Sequence, residues 1–247
     1  MNYSMLINIL EVVLLAAFFI FIVRFIFMNY TPKVRKPAAW VHAAKEGLLS
    51  AQLRRAEKNY PDRIRFYNIW LQISRIERQS IKGDFAELGV YKGETARIIH
   101  LCSPERKIHL FDTFNGFPAG DLKEETGKAA GYTTKHFADT SSEKVKQLLD
   151  EDPGIICYPG YFPDTAKGLE QGKFAFVSID ADLYKPTKAG LEFFYPKLSG
   201  GGIILVHDYN NEWPGVMKAV DEFCNTIPES ALPVPDADSS VMIMKNS

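Results

Sequence analysis

Lysine and arginine are absent from this 247-residue chain before Arg24, and cysteine occurs only three times. The 29 basic side chains barely offset the 30 acidic ones, for a formal net charge of −1. Each scarcity excludes something. Cys102, Cys157 and Cys224 are isolated and odd in number, which fits neither a disulfide framework nor a thiolate metal site. They read as reduced thiols in apolar runs. A near-neutral balance does not make nucleic acid the expected partner, and 46% hydrophobic residues argue against disorder. No internal repeat is visible, and the Gly-x-Gly-x-x-Gly fingerprint that seats a dinucleotide pyrophosphate on a helix is missing.

The missing basic amino-terminal region matters because an apolar stretch follows it directly. Residues 5–28 are interrupted only by Asn8, Glu11 and Arg24. As a helix such a stretch reaches about 36 Å, enough to cross a hydrocarbon core with some tilt. Its Leu, Ile, Val and Phe favour insertion by about 5–10 kcal/mol, against about 3.5 kcal/mol for one central charge. Neither a basic leader nor a small-residue cleavage site marks a signal peptide, so the expectation is an uncleaved single-pass anchor. Arg24, Lys33, Arg35 and Lys36 all follow the span, which places the carboxyl-terminal part in the cytoplasm.

The run from Gly83 to Glu94, Gly-Asp-Phe-Ala-Glu-Leu-Gly-Val-Tyr-Lys-Gly-Glu, reads as a buried strand turning through a glycine loop into a helix. Its spacing is Glu87-x-Gly89-x-x-x-Gly93. An acidic residue ahead of the first glycine suits a cationic, phosphate-free ligand and points toward S-adenosylmethionine. Residues 107–112 form a second strand ending in Asp112, about twenty residues past the glycines, where a carboxylate can accept ribose hydroxyl hydrogen bonds. That spacing also occurs in dehydrogenases, so Asp112 indicates a nucleoside and leaves the cofactor open.

Two later apolar strands end in ligand-bearing residues. Residues 174–179 run into Asp180-Ala181-Asp182, and 202–206 into His207-Asp208. In an open parallel sheet that edge binds ligands. Hard divalent cations such as magnesium or manganese take carboxylate oxygens, so Asp180 and Asp208, with His207, are candidate metal ligands. Aspartates at strand ends also cap following helices, and for Asp182 the two readings balance.

The segments Leu110-Phe111-Asp112-Thr113-Phe114-Asn115-Gly116-Phe117-Pro118, Gly160-Tyr161-Phe162-Pro163-Asp164-Thr165, 179–186, and His207-Asp208-Tyr209 with Trp213-Pro214-Gly215-Val216 resemble the macrocin O-methyltransferase family over about residues 83–223. The resemblance implies a Rossmann-like α/β fold of the class I methyltransferase type, mostly parallel with a terminal antiparallel strand. It also implies S-adenosylmethionine, a divalent metal and methylation of a sugar hydroxyl. Carried over by motif, Glu87, Gly89 and Gly93 would line the cofactor, Asp112 would hold its ribose, and Asp180, His207 and Asp208 would hold the metal. The family usually has two adjacent aspartates where this chain has His207-Asp208. Imidazole suits manganese, iron or zinc better than magnesium, so the metal preference has changed, the two aspartates act alone, or His207 serves as a base.

Methyl transfer needs alignment and a nucleophilic oxygen. Asp180 is the first candidate base and His207 the second. Tyr184, Tyr209 and Trp213 either stack on a sugar ring or pack as ordinary aromatics. The organisation expected is an anchor over 1–30, a basic linker and amphipathic helices over 31–80, and a methyltransferase domain over 81–247. In the helical segment, Arg54, Arg55, Arg63 and Arg65 read as a solvated or membrane-facing surface. Its helices would cap the cofactor edge or contact a second copy, giving a homo-oligomer. Residues 118–140 read as a lid or a disordered loop, and Thr140-Ser141-Ser142-Glu143 as a capping box. The expected acceptor carries a sugar and is plausibly lipid-linked. Two other readings stay open: a membrane scaffold that kept the fold and lost the chemistry, and a nucleotide-dependent oxidoreductase.

Overall fold

Short, continuous apolar runs suit strands buried on both faces, and five of them form the parallel part of one sheet. In the computed structural model, which describes residues 3–30 and 34–246, these are β1 (Asp84–Leu88), β2 (Ile108–Asp112), β3 (Ile155–Pro159), β4 (Phe174–Ile179) and β5 (Leu198–Val206). The sheet order is β3-β2-β1-β4-β5, followed by two carboxyl-terminal strands. Of these, β6 (Leu232–Pro233) pairs with β7 (Val241–Met244), and β7 runs antiparallel beside β5. This is the expected Rossmann-like α/β sheet with its terminal antiparallel pair.

The chain divides into two compact units, Met1–Lys36 and Pro37–Ser247. Within the first, α1 (Tyr3–Tyr30) is helical, and its segment Ile7–Ile26 has mean hydropathy 2.7. By length and composition it can cross a membrane. Lys33, one of the residues that set the expected orientation, lies outside the described residues.

In the second unit the amphipathic helices expected within 31–80 begin with two short ones, α2 (Ala38–Lys45) and α3 (Ala51–Asn59), because the chain turns at Gly47 and restarts at Ser50. The Ser50 hydroxyl accepts the Leu53 amide hydrogen bond and so caps α3. Asp62 does the same for α4 (Arg63–Arg78), accepting from the amides of Ile64 and Arg65. Trp40, Phe66, Ile69 and Ile73 of these helices join Phe85, Ile98 and Phe176 in one core layer. Each large side chain buried this way contributes about 1.5–3 kcal/mol. Helices 38–78 are thus packed into the same unit as the sheet.

The remaining helices are α5 (Glu94–Cys102), α6 (Ala119–Leu122), α7 (Ser142–Leu148), α8 (Tyr184–Phe194) and α9 (Pro214–Cys224). Leu191 and Phe194 of α8 and Val216 and Val220 of α9 pack with Val177 and Ile179 on the opposite sheet face. The cap of α7 falls one residue later than expected. Ser141 accepts the Lys144 amide, while the Thr140 hydroxyl donates to the Tyr91 carbonyl in the glycine loop. Residues 118–140, expected as a loop, hold α6 and a single 3-10 segment, Gly127–Gly131. All three cysteines are free thiols, and burial raises the pKa of each.

Candidate active site

A cavity of about 530 Å³ opens at the carboxyl edge of the parallel strands. That volume lies in the range of small-molecule sites. Its wall includes Glu87 and Gly89 from the β1 end, Asp112 from β2, Asp180 and Asp182 after β4, and His207 and Asp208 after β5. The ladder delivers them. The Asp180 amide donates to the Leu88 carbonyl at 2.8 Å, and the His207 amide to the Ile179 carbonyl at 2.9 Å.

The glycine loop is shaped from inside the protein. Gly89 has φ +86°, and a Cβ there would lie 1.9 Å from the Asp180 carbonyl oxygen. Its missing side chain makes room for neighbouring backbone. Gly93, at φ +82°, would meet Val145 at 3.0 Å and is not part of the cavity wall. The space left by its missing side chain faces α7. Asp112 closes the same loop, its Oδ2 accepting the amides of Val90 (2.7 Å) and Tyr91 (2.8 Å) and its Oδ1 that of Phe114 (2.7 Å).

Asp180 is the electrostatic centre. Arg65 Nη2 donates to its Oδ2 at 2.8 Å, and His207 Nδ1 lies 3.1 Å from its Oδ1. Burial alone would raise the Asp180 pKa, but the charges of His207 and Arg65 hold it well below the usual carboxylate range. His207 is the counterpart. Burial would lower its pKa, yet the charge of Asp180 and hydrogen bonds to Asp180 and Asp208 push it up to about 10. Glu87 is buried and held well above the ordinary value, first by desolvation and then by the charge of Asp180, with Arg65 opposing. Its Oε2 has no hydrogen-bond partner among the described residues.

Asp182 lies in the cavity wall and accepts the Tyr132 hydroxyl at 3.3 Å. Desolvation, then the charges of Asp180 and Asp208, raise its pKa well above normal. Asp208 is raised too, first by burial, with the His207 hydrogen bond opposing. Both Asp182 (φ +60°) and Asp208 (φ +62°) hold left-handed backbone that aspartate tolerates better than most residues. Ligand atoms of Asp180, His207 and Asp208 all lie within 4.8 Å of one another. Two carboxylates and an imidazole converging this closely fit one divalent ion.

Arg65 overturns an expectation. It is buried at the site rather than solvated, and nothing local in the sequence marks it, because its partner is 115 residues away. Arg63 is tied to Glu57 at 2.5 Å. Tyr132 was equally unmarked. Of the three aromatics read either as sugar-stacking or as ordinary packing residues, Trp213 lines the cavity, whereas the hydroxyls of Tyr184 and Tyr209 bond Glu222 and Asp221.

A model of the macrocin O-methyltransferase family matches residues 55–239. The chain belongs to that family. Among named family relatives, demethyldecarbamoylnovobiocin O-methyltransferase of Streptomyces niveus is 29% identical over 174 residues, 64% of each chain. A second, of Streptomyces olivaceus, is 8-demethyl-8-(2,3-dimethoxy-alpha-L-rhamnosyl)-tetracenomycin-C 4'-O-methyltransferase, 26% identical over 59% of this chain and 60% of its own. The match thus spans less than two thirds of these relatives' length. Among solved structures, the O-methyltransferase NovP superposes with a TM-score of 0.65 at 26% identity, covering 75% of this chain and 81% of its own. The calicheamicin methyltransferase CalS11 shares the fold, with a TM-score of 0.59 at 22% identity over 85% of this chain and 94% of its own.

Proposed function

We propose that this macrocin O-methyltransferase family member is a membrane-anchored, metal-assisted O-methyltransferase that uses S-adenosylmethionine to methylate a sugar hydroxyl. The observation that carries this reading is the convergence of Asp180, His207 and Asp208 in one cavity at the carboxyl edge of the sheet. The names of the relatives, which describe O-methylation of a glycosylated compound in one case, agree with it.

The cavity suits a cationic cofactor. Carboxylates dominate its polar wall, and Glu87 brings a buried oxygen that lacks a partner among the described residues. Bound there, S-adenosylmethionine supplies a methyl group on a positively charged sulfur. Glu87 and Asp112 stand on the wall next to Gly89, Asp112 fixing the loop and retaining one lone-pair direction for a ribose hydroxyl. Asp180, His207 and Asp208 would hold the metal, which lowers the pKa of a coordinated hydroxyl.

The chain's own groups would then move the proton. Asp180, pinned ionised by Arg65, is a weak base. His207 is a proton holder near neutral pH unless a ligand takes its lone pair. Asp182 combines a raised pKa with a place on the wall, and it is the base we favour over Asp180 and His207. Trp213 offers an aromatic face for the sugar ring. The apolar α1 would place the acceptor chemistry at a membrane surface, with Arg24, Arg35 and Lys36 on the cytoplasmic side.

The test is calorimetric titration of S-adenosylmethionine into the full chain in detergent, with and without magnesium or manganese. Saturable binding is the expected result. No binding under any metal condition would overturn the proposal and leave a fold that serves as a scaffold.

A further inference from the structure

Outside α1, Leu48 is the most exposed large apolar residue among those described, at 74%. Its outward position is fixed by backbone. The turn that ends α2 is a Schellman motif: Gly47, at φ +71°, donates its amide to the Ala44 carbonyl, and the Leu48 amide donates to that of Ala43 at 3.0 Å. An apolar side chain at this position commonly packs back on its helix. Leu48 instead stays exposed, while Leu49 fills the core.

The surface around Leu48 is basic. Residues 33–58 hold seven of the chain's 29 basic side chains but only two of its 30 acidic ones, and one of those two, Glu57, is buried. The rest of the chain is therefore net acidic. Trp40, Ala43 and Leu53 bury the inner sides of α2 and α3 in one core layer, so the outer sides of both helices look away from it. Val41 and Lys45, four residues apart, are exposed on α2, and Arg54, Arg55 and Lys58 on α3. Apolar tips set among cations match an anionic lipid surface, where the charges meet headgroups and the tips enter the acyl boundary.

The chain also limits how far this face can be from a bilayer. Ala38, where α2 begins, follows Tyr30, the end of α1, by eight residues, a reach under about 30 Å even when extended. With α1 inserted, α2 begins within that distance of the headgroups. We propose that the outer face of α2 and α3, with Leu48 at its tip, docks on an anionic phospholipid leaflet. This rests on the membrane-anchor reading above. Lys45, Arg54, Arg55 and Lys58 supply the electrostatic contact, and Leu48 with Val41 the apolar one. The docking bears on the acceptor as well. The nine residues of α3 span about 14 Å, and Tyr60, Pro61 and Asp62, which follow them, line the cavity. A docked α3 thus brings the cavity rim within a helix length of the headgroups, where a lipid-linked sugar stands.

The experiment places the full chain in nanodiscs of phosphatidylcholine, with or without about 30% phosphatidylglycerol as the anionic lipid. A membrane-impermeant acylating ester then labels lysines, and mass spectrometry reads the rate at each. Lys45 and Lys58 are expected to react at least about fivefold more slowly in the anionic discs, while Lys167, whose side chain is 81% exposed, keeps its rate. About 1 M salt should remove most of the difference, because screening then acts within about 3 Å. Leu48→Asp should remove it too, and at so exposed a position the fold is not at risk. Equal Lys45 and Lys58 rates in the two kinds of disc would overturn the inference, as would a difference that Leu48→Asp leaves intact. Slow labelling that depends on protein concentration and not on lipid charge would assign the face to a second copy and equally overturn it. Release of the chain from the discs by alkaline carbonate would instead sink the anchor reading on which this one rests.

Discussion

Arg65 Nη2 lies 2.8 Å from Asp180 Oδ2, joining a helix that precedes the sheet to the end of its central strand β4. Both groups are largely withdrawn from water, so removing one partner leaves the other poorly compensated. Arg65→Met is expected to lower stability by about 3 kcal/mol, or about 6–12 °C in Tm for a domain of this size. Thermal unfolding of the metal-free chain measures this. Combining it with Asp180→Asn should cost less than the sum of the two single changes, and strict additivity would show that the pair is not coupled.

The second prediction concerns pH. In the metal-free chain His207 has its pKa raised to about 10 in the folded state, against about 6.5 when unfolded. A raised pKa means the folded state holds the proton more tightly. Its contribution is therefore complete below about pH 6.5 and is lost as pH rises through about 10. The Tm difference between wild type and His207→Gln should shrink by several degrees between pH 6.5 and 10.5. A gap constant across that window would contradict the assigned ion pairs.

How much of this was legible beforehand depended on the range of each interaction. Strands β1, β2, β4 and β5 announced themselves because a buried parallel strand needs an uninterrupted apolar run, and Asp180 and His207 followed because they terminate such runs. Arg65 gave no signal. Beside Arg63 at the start of α4 it looks like part of a charged surface, and only packing of α4 against the sheet turns it inward. The α7 cap was misplaced by one because the capping-box pattern picks out Thr140, whose hydroxyl is instead taken by the carbonyl of Tyr91, 49 residues away, leaving Ser141 to accept the Lys144 amide. At Gly93 the sequence shows that a side chain is missing, but not that Val145 of α7 faces the space.

Asp182→Asn is the third test. If Asp182 accepts the acceptor's proton, kcat should fall by about 10²–10⁴ while S-adenosylmethionine affinity stays near wild type. Single-turnover kinetics with a sugar acceptor, paired with calorimetry, separates the two. A kcat within threefold of wild type would remove Asp182 from the proton path and return the role to His207.

Gly89→Ala supplies the fourth. The added methyl would sit 1.9 Å from the Asp180 carbonyl oxygen in a backbone conformation with φ +86°. A flexible neighbour could yield, but this one is backbone of a residue just past β4 whose amide is hydrogen-bonded to Leu88. Loss of at least about 3 kcal/mol is expected, along with weakened manganese binding as Asp180 shifts. Unfolding curves superposable on wild type would mean that β1 and β4 can move apart without cost.

Strands β4 and β5 run side by side with Ile179 opposite Val206, and the next residue on each is Asp180 and His207. Adjacent strands keep a nearly fixed separation of about 4.8 Å. The sheet therefore acts as a ruler: the spacing of these two side chains is written into hydrogen-bond register, and no loop sets it. If these side chains hold an ion as proposed, its size would be tuned at Asp208, which lies one step beyond the ladder, far more easily than at the other two. Deleting a single residue within β5 would slide that ruler by one mark, exchange inward for outward faces along the strand and bring Asp208 to the mark His207 now occupies.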